Sequence, residues 1–327
     1  MTHRPPSALV LSLALSLAAT TLAAPAALAT GGGVGPATGA TPARPAPASS
    51  SDSPTTIIVQ LEDSTVGMRT FGPSTQSAHD AMRARIAAAV EGAVPGAQVT
   101  TVRDYTHALD GFAIEAPASA LSAIQQVEGV KAAFIEGTHK PMETAAERSG
   151  APVLANASSL AMTRANQTIQ KGDGQVIEVI DSGLQTDHDA FSGSMDGVDV
   201  RMSQADAQAL AGTLPHGSAG TYVNSKIPFA YDYADNDANV VPTSTKDMSH
   251  GTHVAAIAAA NGGEVRGTAP NAQIIVAKVV HDADGVMSDS ALLAALDDAL
   301  VIKPDVINIS LGDDAGMSSD AGSIFAG

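Results

Sequence analysis

The sequence has no cysteine and no tryptophan, and only 3% of its 327 residues are aromatic. Without thiols there is no disulfide framework, no thiol nucleophile and no thiolate metal site. Scarce aromatics leave little with which to stack bases or sugars. Positive charge is short as well: 17 Lys and Arg face 34 Asp and Glu, a formal charge of −17. A nucleic-acid partner is therefore not expected, since phosphate binding needs a basic face that releases counterions. What is present is apolar. Hydrophobic residues make up 44% and charged ones 16%, enough for buried cores in about two domains.

The beginning of the chain reads as a targeting signal. Arg4 is a positive start, Ala8 to Ala19 is an apolar run, and Ala27-Leu28-Ala29 is a small-x-small cleavage site ahead of Thr30. The run is shorter than the roughly 20 residues that cross a bilayer, and Pro25 follows it. Residues 1–29 are thus expected to be a signal peptide rather than an anchor. Residues 30–54 are Gly, Pro, Ala, Ser and Thr with no apolar period, so a flexible linker is expected.

Residues 55–141 read as a small α/β unit. Ile57-Ile58-Val59 with Leu61 is a β-branched strand. Ala78, Met82, Ile86, Ala89 and Val90 recur at helical spacing behind Ser74 or Thr75 as N-cap, and Pro95-Gly96 ends that helix. Val99 to Tyr105 and Gly111 to Ala116 read as strands around Leu109-Asp110-Gly111. Pro117 opens a second helix with Ala120, Leu121, Ile124 and Val127 on its apolar face, Gly129 stops it, and Val130 to Ile135 is a last strand. The order βαββαβ is that of a ferredoxin-like split sandwich, a fold that hosts many roles.

From about residue 142 the pattern becomes that of a parallel doubly wound α/β sheet. Gln175 to Ile180 is a largely apolar strand running into Asp181-Ser182-Gly183. An acid at the carboxyl end of such a strand lies where open α/β sheets place their sites, although capping a turn is an equal alternative for Asp181. His250-Gly251-Thr252-His253-Val254-Ala255 starts a buried helix, with His250 projecting from its end and His253 expected inside. Two histidines at i and i+3 suit a metal as well, but H-E-x-x-H is absent. Gly267-Thr268-Ala269-Pro270-Asn271 turns into a strand from Ile274 to Val280. Asp289 is expected to cap a helix carrying Leu292, Leu293, Leu296 and Leu300, and Val306 to Ile309 is a strand ending in Ser310 and Gly312.

Taken in order, VIDSG, HGTHVA, GTAPNAQIIVAKV and DVINISLG resemble the subtilases, serine endopeptidases of the subtilisin-like fold, over about residues 160 to 312. The βαββαβ unit resembles their inhibitory propeptide, and YDYADNDANVVPTSTKDMSHGTHVA is most like the lactocepin and C5a-peptidase group of cell-envelope proteinases. The resemblance implies that Asp181 orients the imidazole and that His250 is general base and then general acid. It implies that Ser310-Leu311-Gly312 walls a cleft and pairs with substrate backbone. It implies that Asp284-Gly285-Val286-Met287 corresponds to the opposite wall, with Gly285 as a substrate-binding residue. Substrates would be proteins or peptides and the propeptide an intramolecular partner. The cell-envelope members further imply wall association through a C-terminal region not included in this sequence.

Two departures stand out. Ala256 stands where the family usually has Gly, and no GTSMA-like motif with a nucleophilic serine follows Gly312. Gly193-Ser194-Met195 lies between Asp181 and His250 in the chain, the wrong order for the triad, and reads as a loop. The expectation is an N-terminal portion of a longer protease, inactive by itself. Alternatives are a binding protein built from a propeptide-like inhibitor and a pseudoenzyme, or a metal-dependent hydrolase using His250 and His253. No cofactor is required by the resemblance. Asp232, Asp235 and Asp237 suit calcium as oxygen ligands, or are simply a solvated acidic loop.

Overall fold

The computed structural model describes residues 53–62, 73–141, 161, 163–242 and 249–312. The expected signal peptide, residues 30–52 of the expected linker, and residues 142–160 and 313–327 lie outside the described residues.

The first unit is an antiparallel sheet in the order β2-β3-β1-β4, made of β1 (Pro54–Leu61), β2 (Thr100–Tyr105), β3 (Gly111–Pro117) and β4 (Val130–Ile135). Two helices, α1 (Pro73–Ala93) and α2 (Leu121–Gln125), connect them, the second entered through a short 3-10 turn. Alternation along β1 explains why its apolar run is unbroken. Ile57 and Val59 pack with Met82, Ile86 and Val90 of α1, while Ile58 packs the other way, into a second core that lies largely in the following unit. Both faces of this sheet are therefore covered.

The face of α1 differs from the sequence reading. Its buried stripe is Thr75, His79, Met82, Ile86 and Val90, whereas Ala78 is exposed. The helix begins at or before Pro73, so Ser74 and Thr75 lie inside its first turn and are not its cap. A histidine takes the place that an apolar residue was expected to hold because two carboxylates reach it. His79 Nδ1 lies 3.0 Å from Asp104 and Nε2 2.9 Å from Asp110.

The second unit is a parallel sheet in the order β10-β6-β8-β7, from β6 (Val176–Asp181), β7 (Phe229–Asp232), β8 (Gln273–Lys278) and β10 (Val306–Ile309). Around it lie α3 (Gln204–Ala211), α4 (His250–Ala259) and α5 (Asp289–Ile302). β6 and β8 are buried at every residue, as parallel strands covered on both faces should be. Ser288, not Asp289, caps α5: it is extended, and its Oγ accepts the Ala291 N–H at 3.3 Å. Leu296 and Leu300 are only half buried. The deeper face carries Asp297 and Asp298, both fully buried because each collects donors. Asp297 accepts the backbone N–H groups of Thr106, His107 and Ala108 from the first unit, and Asp298 accepts Gly217 N–H and Tyr233 O–H.

A third, smaller sheet joins the units. β5 (Thr138–Pro141) lies between β9 (Met287–Ser288) and β11 (Leu311–Gly312), antiparallel to both. Among the described residues no helix is long and apolar enough to cross a membrane.

Candidate active site

The parallel strands end in polar residues on one edge. Register aligns Asp181 of β6 with Lys278 of β8, and Lys278 with Asp232 of β7. Against the first of these ends stands the start of α4. His250, its first residue, is 7% exposed, and its Nδ1 lies 2.8 Å from Asp181 Oδ1. The same oxygen accepts the Ser182 N–H at 2.7 Å, and Ser182 Oγ accepts the Gly251 N–H at 3.0 Å. The strand end thus fixes both Asp181 and the helix that carries His250.

Glycine at 251 makes this approach feasible. A Cβ there would stand 2.3 Å from Gly183 O and 3.1 Å from Asp181 Oδ1. The buried side of α4 continues through Ala255 and Ala259. His253 is exposed, contrary to the expectation that it would lie inside. At about 100° per residue it sits roughly 200° around the helix from Gly251, on the solvent side. The two histidines therefore face different surroundings.

Ser310 sits between β10 and β11, where its Oγ accepts from Asn308 Nδ2 at 2.9 Å. Leu311 pairs with Pro141 and Gly312 with Lys140. On the other side Thr138 pairs with Ser288 and His139 with Met287. Gly285, with φ +73°, occupies the turn that leads to β9, and its N–H donates to His281 O. The strand that pairs with β5 is Met287–Ser288. A four-residue strand whose neighbours come from positions 287 and 311 leaves no periodic trace in the sequence. Pairing with distant segments, not local propensity, creates it.

The acidic loop is arranged around a lysine. Lys278 Nζ donates to Asp232 at 2.6 Å and to Asp282 at 2.7 Å, and lies 3.7 Å from Asp235. Asp232, Asp235 and Asp282 bring oxygens within 4.8 Å of one another, the spacing of a cation's ligands. Asp237 instead accepts the Asn239 N–H in its own turn. Burial pulls the Lys278 ammonium down, but its bonds to Asp232 and Asp282 outweigh this and hold it above the ordinary value. Burial also pushes the Asp232 carboxyl up. At 2.6 Å from an ammonium with two carboxylate partners, the charged pair is the form that satisfies both groups.

Glu178, in the middle of β6, is fully buried, and neither carboxyl oxygen has a partner among the described residues. Burial, with the nearby Asp298 charge, pushes it up to about 8, so it is protonated at neutral pH. Its signal was visible: a lone acid inside an apolar strand. Asp297, Asp298 and Asp282 gave none, since acids on a helix or in a loop read as solvated.

Residues 172–326 match the model of the subtilase family. The PI-type proteinase of Lactococcus lactis subsp. cremoris is 33% identical over 246 residues, covering 72% of this chain and 12% of that protein. The minor extracellular protease Vpr of Bacillus subtilis (strain 168) is 25% identical over 273 residues, 79% of this chain and 30% of that protein. The chain therefore spans only a small part of the length of these relatives. A solved structure, the epidermin leader peptide processing serine protease of Staphylococcus aureus, superposes with TM-score 0.45 at 13% identity, over 80% of this chain and 52% of that one.

Proposed function

From the match of residues 172–326 to the subtilase family, we propose that this chain is part of an exported serine endopeptidase precursor whose cleft is blocked by its own first unit. The observation that carries this is the seating of β5 between β9 and β11, in line with the backbone pairing by which a peptide would be held. The order β2-β3-β1-β4 supports a ferredoxin-like propeptide.

In this reading Asp181 fixes the imidazole through Nδ1, and Nε2 takes the proton of a serine and returns it to the leaving amine. Buried beside a strand end, Asp181 also stabilises the imidazolium formed in that step. The serine and the donors to the oxyanion are assigned to the further length seen in the relatives. Lys278 is assigned the role of internal cation in the acidic loop, in place of calcium.

A serine-directed fluorophosphonate tests this on the full-length processed protein. Labelling of a single serine together with loss of casein hydrolysis is expected. Hydrolysis that ignores the probe but stops with a chelator would establish a metal hydrolase instead. Binding of peptides without any turnover would establish a pseudoenzyme.

A further inference from the structure

One carboxylate grips the approach to β5. Asp289, the first residue of α5, accepts the Gly137 N–H on Oδ2 at 2.8 Å, and its Oδ1 lies 2.8 Å from His139 Nε2. The His139 and Asp289 side chains are 12% and 11% exposed, so the contact is largely shielded from water. The backbone carrying Asp289 is itself fixed. Ser288 caps the helix, and Glu136 accepts the Ser290 N–H at 3.0 Å.

Gly137 adds a second, independent observation. A Cβ there would come 2.8 Å from Asp289 Oδ2 and 3.2 Å from His139 Nε2. The clamp occupies the space in which a side chain would stand. A single acid thus makes two demands on the strand: no side chain at one position, and a hydrogen-bond donor of imidazole reach two residues later. A helix N-terminus favours an acid in any case, but that role requires neither partner.

Resting on the reading that β5 lies as a substrate lies, we propose that Asp289 is a specificity-determining residue of the peptidase. It selects segments with glycine followed two residues later by histidine, set where Gly137 and His139 sit. A leucine in place of the histidine would bury one carboxylate oxygen without a donor, the costly outcome for a polar group. An alanine in place of the glycine would push the carboxylate off its partner.

The experiment uses the full-length processed enzyme and peptides that carry its own sequence from Gly137 onward. Three are compared by kcat/KM: the parent, the glycine-to-alanine peptide and the histidine-to-leucine peptide. Loss of a shielded charge-assisted bond predicts about a tenfold fall for the leucine peptide, with a smaller fall for the alanine peptide. In the Asp289→Ala enzyme both penalties should shrink together, because the acceptor and the clash disappear at once. Equal cleavage of all three peptides by the unaltered enzyme would overturn the proposal and leave the peptidase reading standing. So would an Asp289→Ala enzyme slowed alike on all three, the mark of a purely structural residue. Failure to cleave any of the peptides or casein would overturn the peptidase reading, and this proposal with it. The peptide arm does not depend on how the variant folds.

Discussion

In the antiparallel unit His79 is 1% exposed and meets a carboxylate on each ring nitrogen; in the parallel unit the 7% exposed His250 meets Asp181 through Nδ1. The ingredients are alike, a buried imidazole and acids, and placement separates their uses. His79 lies in the body of α1, beneath a sheet, where Asp104 and Asp110 require both nitrogens to carry protons. Burial alone would lower its pKa, but the bonds to Asp104 and Asp110 outweigh that and raise it. It is held as a cation. His250 opens a helix at the carboxyl edge of a parallel sheet. Topology, more than burial or the presence of an acid, places one imidazole in the core and the other at the strand-end edge where the proposed chemistry lies.

The strongest way to break this comparison is through turnover. Asp181→Asn or His250→Ala in the full-length protein should lower kcat/KM on peptides by about four orders of magnitude, as losses from a coupled triad do. A mild loss, no larger than that of His253→Ala, would remove His250 from catalysis.

The next effect falls on stability. His79→Ala removes a buried cation bonded to both Asp104 and Asp110, with Arg83 still paired to Asp104, and should destabilise the first unit by about 3 kcal/mol, read from hydrogen exchange at the β1 and β3 amides. The contribution of His79 is complete below its ordinary value of 6.5 and is lost as pH rises through its raised folded value. For Asp104, burial pushes the carboxyl up, yet its bonds to His79 and Arg83 hold it below 3.8. Its contribution is present above 3.8 and is lost as pH falls through the lowered folded value. The unit should therefore have a lower urea midpoint at about pH 9 than at about pH 6, a difference that His79→Gln should diminish. The smallest effect is reserved for the exposed histidine: His253→Ala should change the unfolding free energy by no more than about 0.5 kcal/mol.

Much of this arrangement was legible in the chain. Apolar runs such as Val176 to Ile180 and Ile274 to Val279 mark buried strands whatever surrounds them, and the strand-end acid and helix-start histidine follow from adjacent residues. What escaped were features decided by distant partners. Nothing in the sequence marks His79, because Asp104 and Asp110 lie 25 and 31 positions away. Nothing marks Asp297 either, because its donors belong to the turn at residues 106–108. Hydropathy favours Ala78 over His79, and a position one turn inside the helix favours burial of His253, whereas the buried side of α4 runs through Gly251, Ala255 and Ala259.

The unpaired carboxyl of Glu178 makes folding of the parallel unit a proton-consuming reaction. Its ordinary value is 4.5 and its folded value about 8, so between them the folded chain holds a proton that the unfolded chain has released to solvent. Through this group, stability declines as pH rises across that interval. The heat of unfolding measured there should include the ionisation heat of the buffer, which receives the proton each time β6 comes apart.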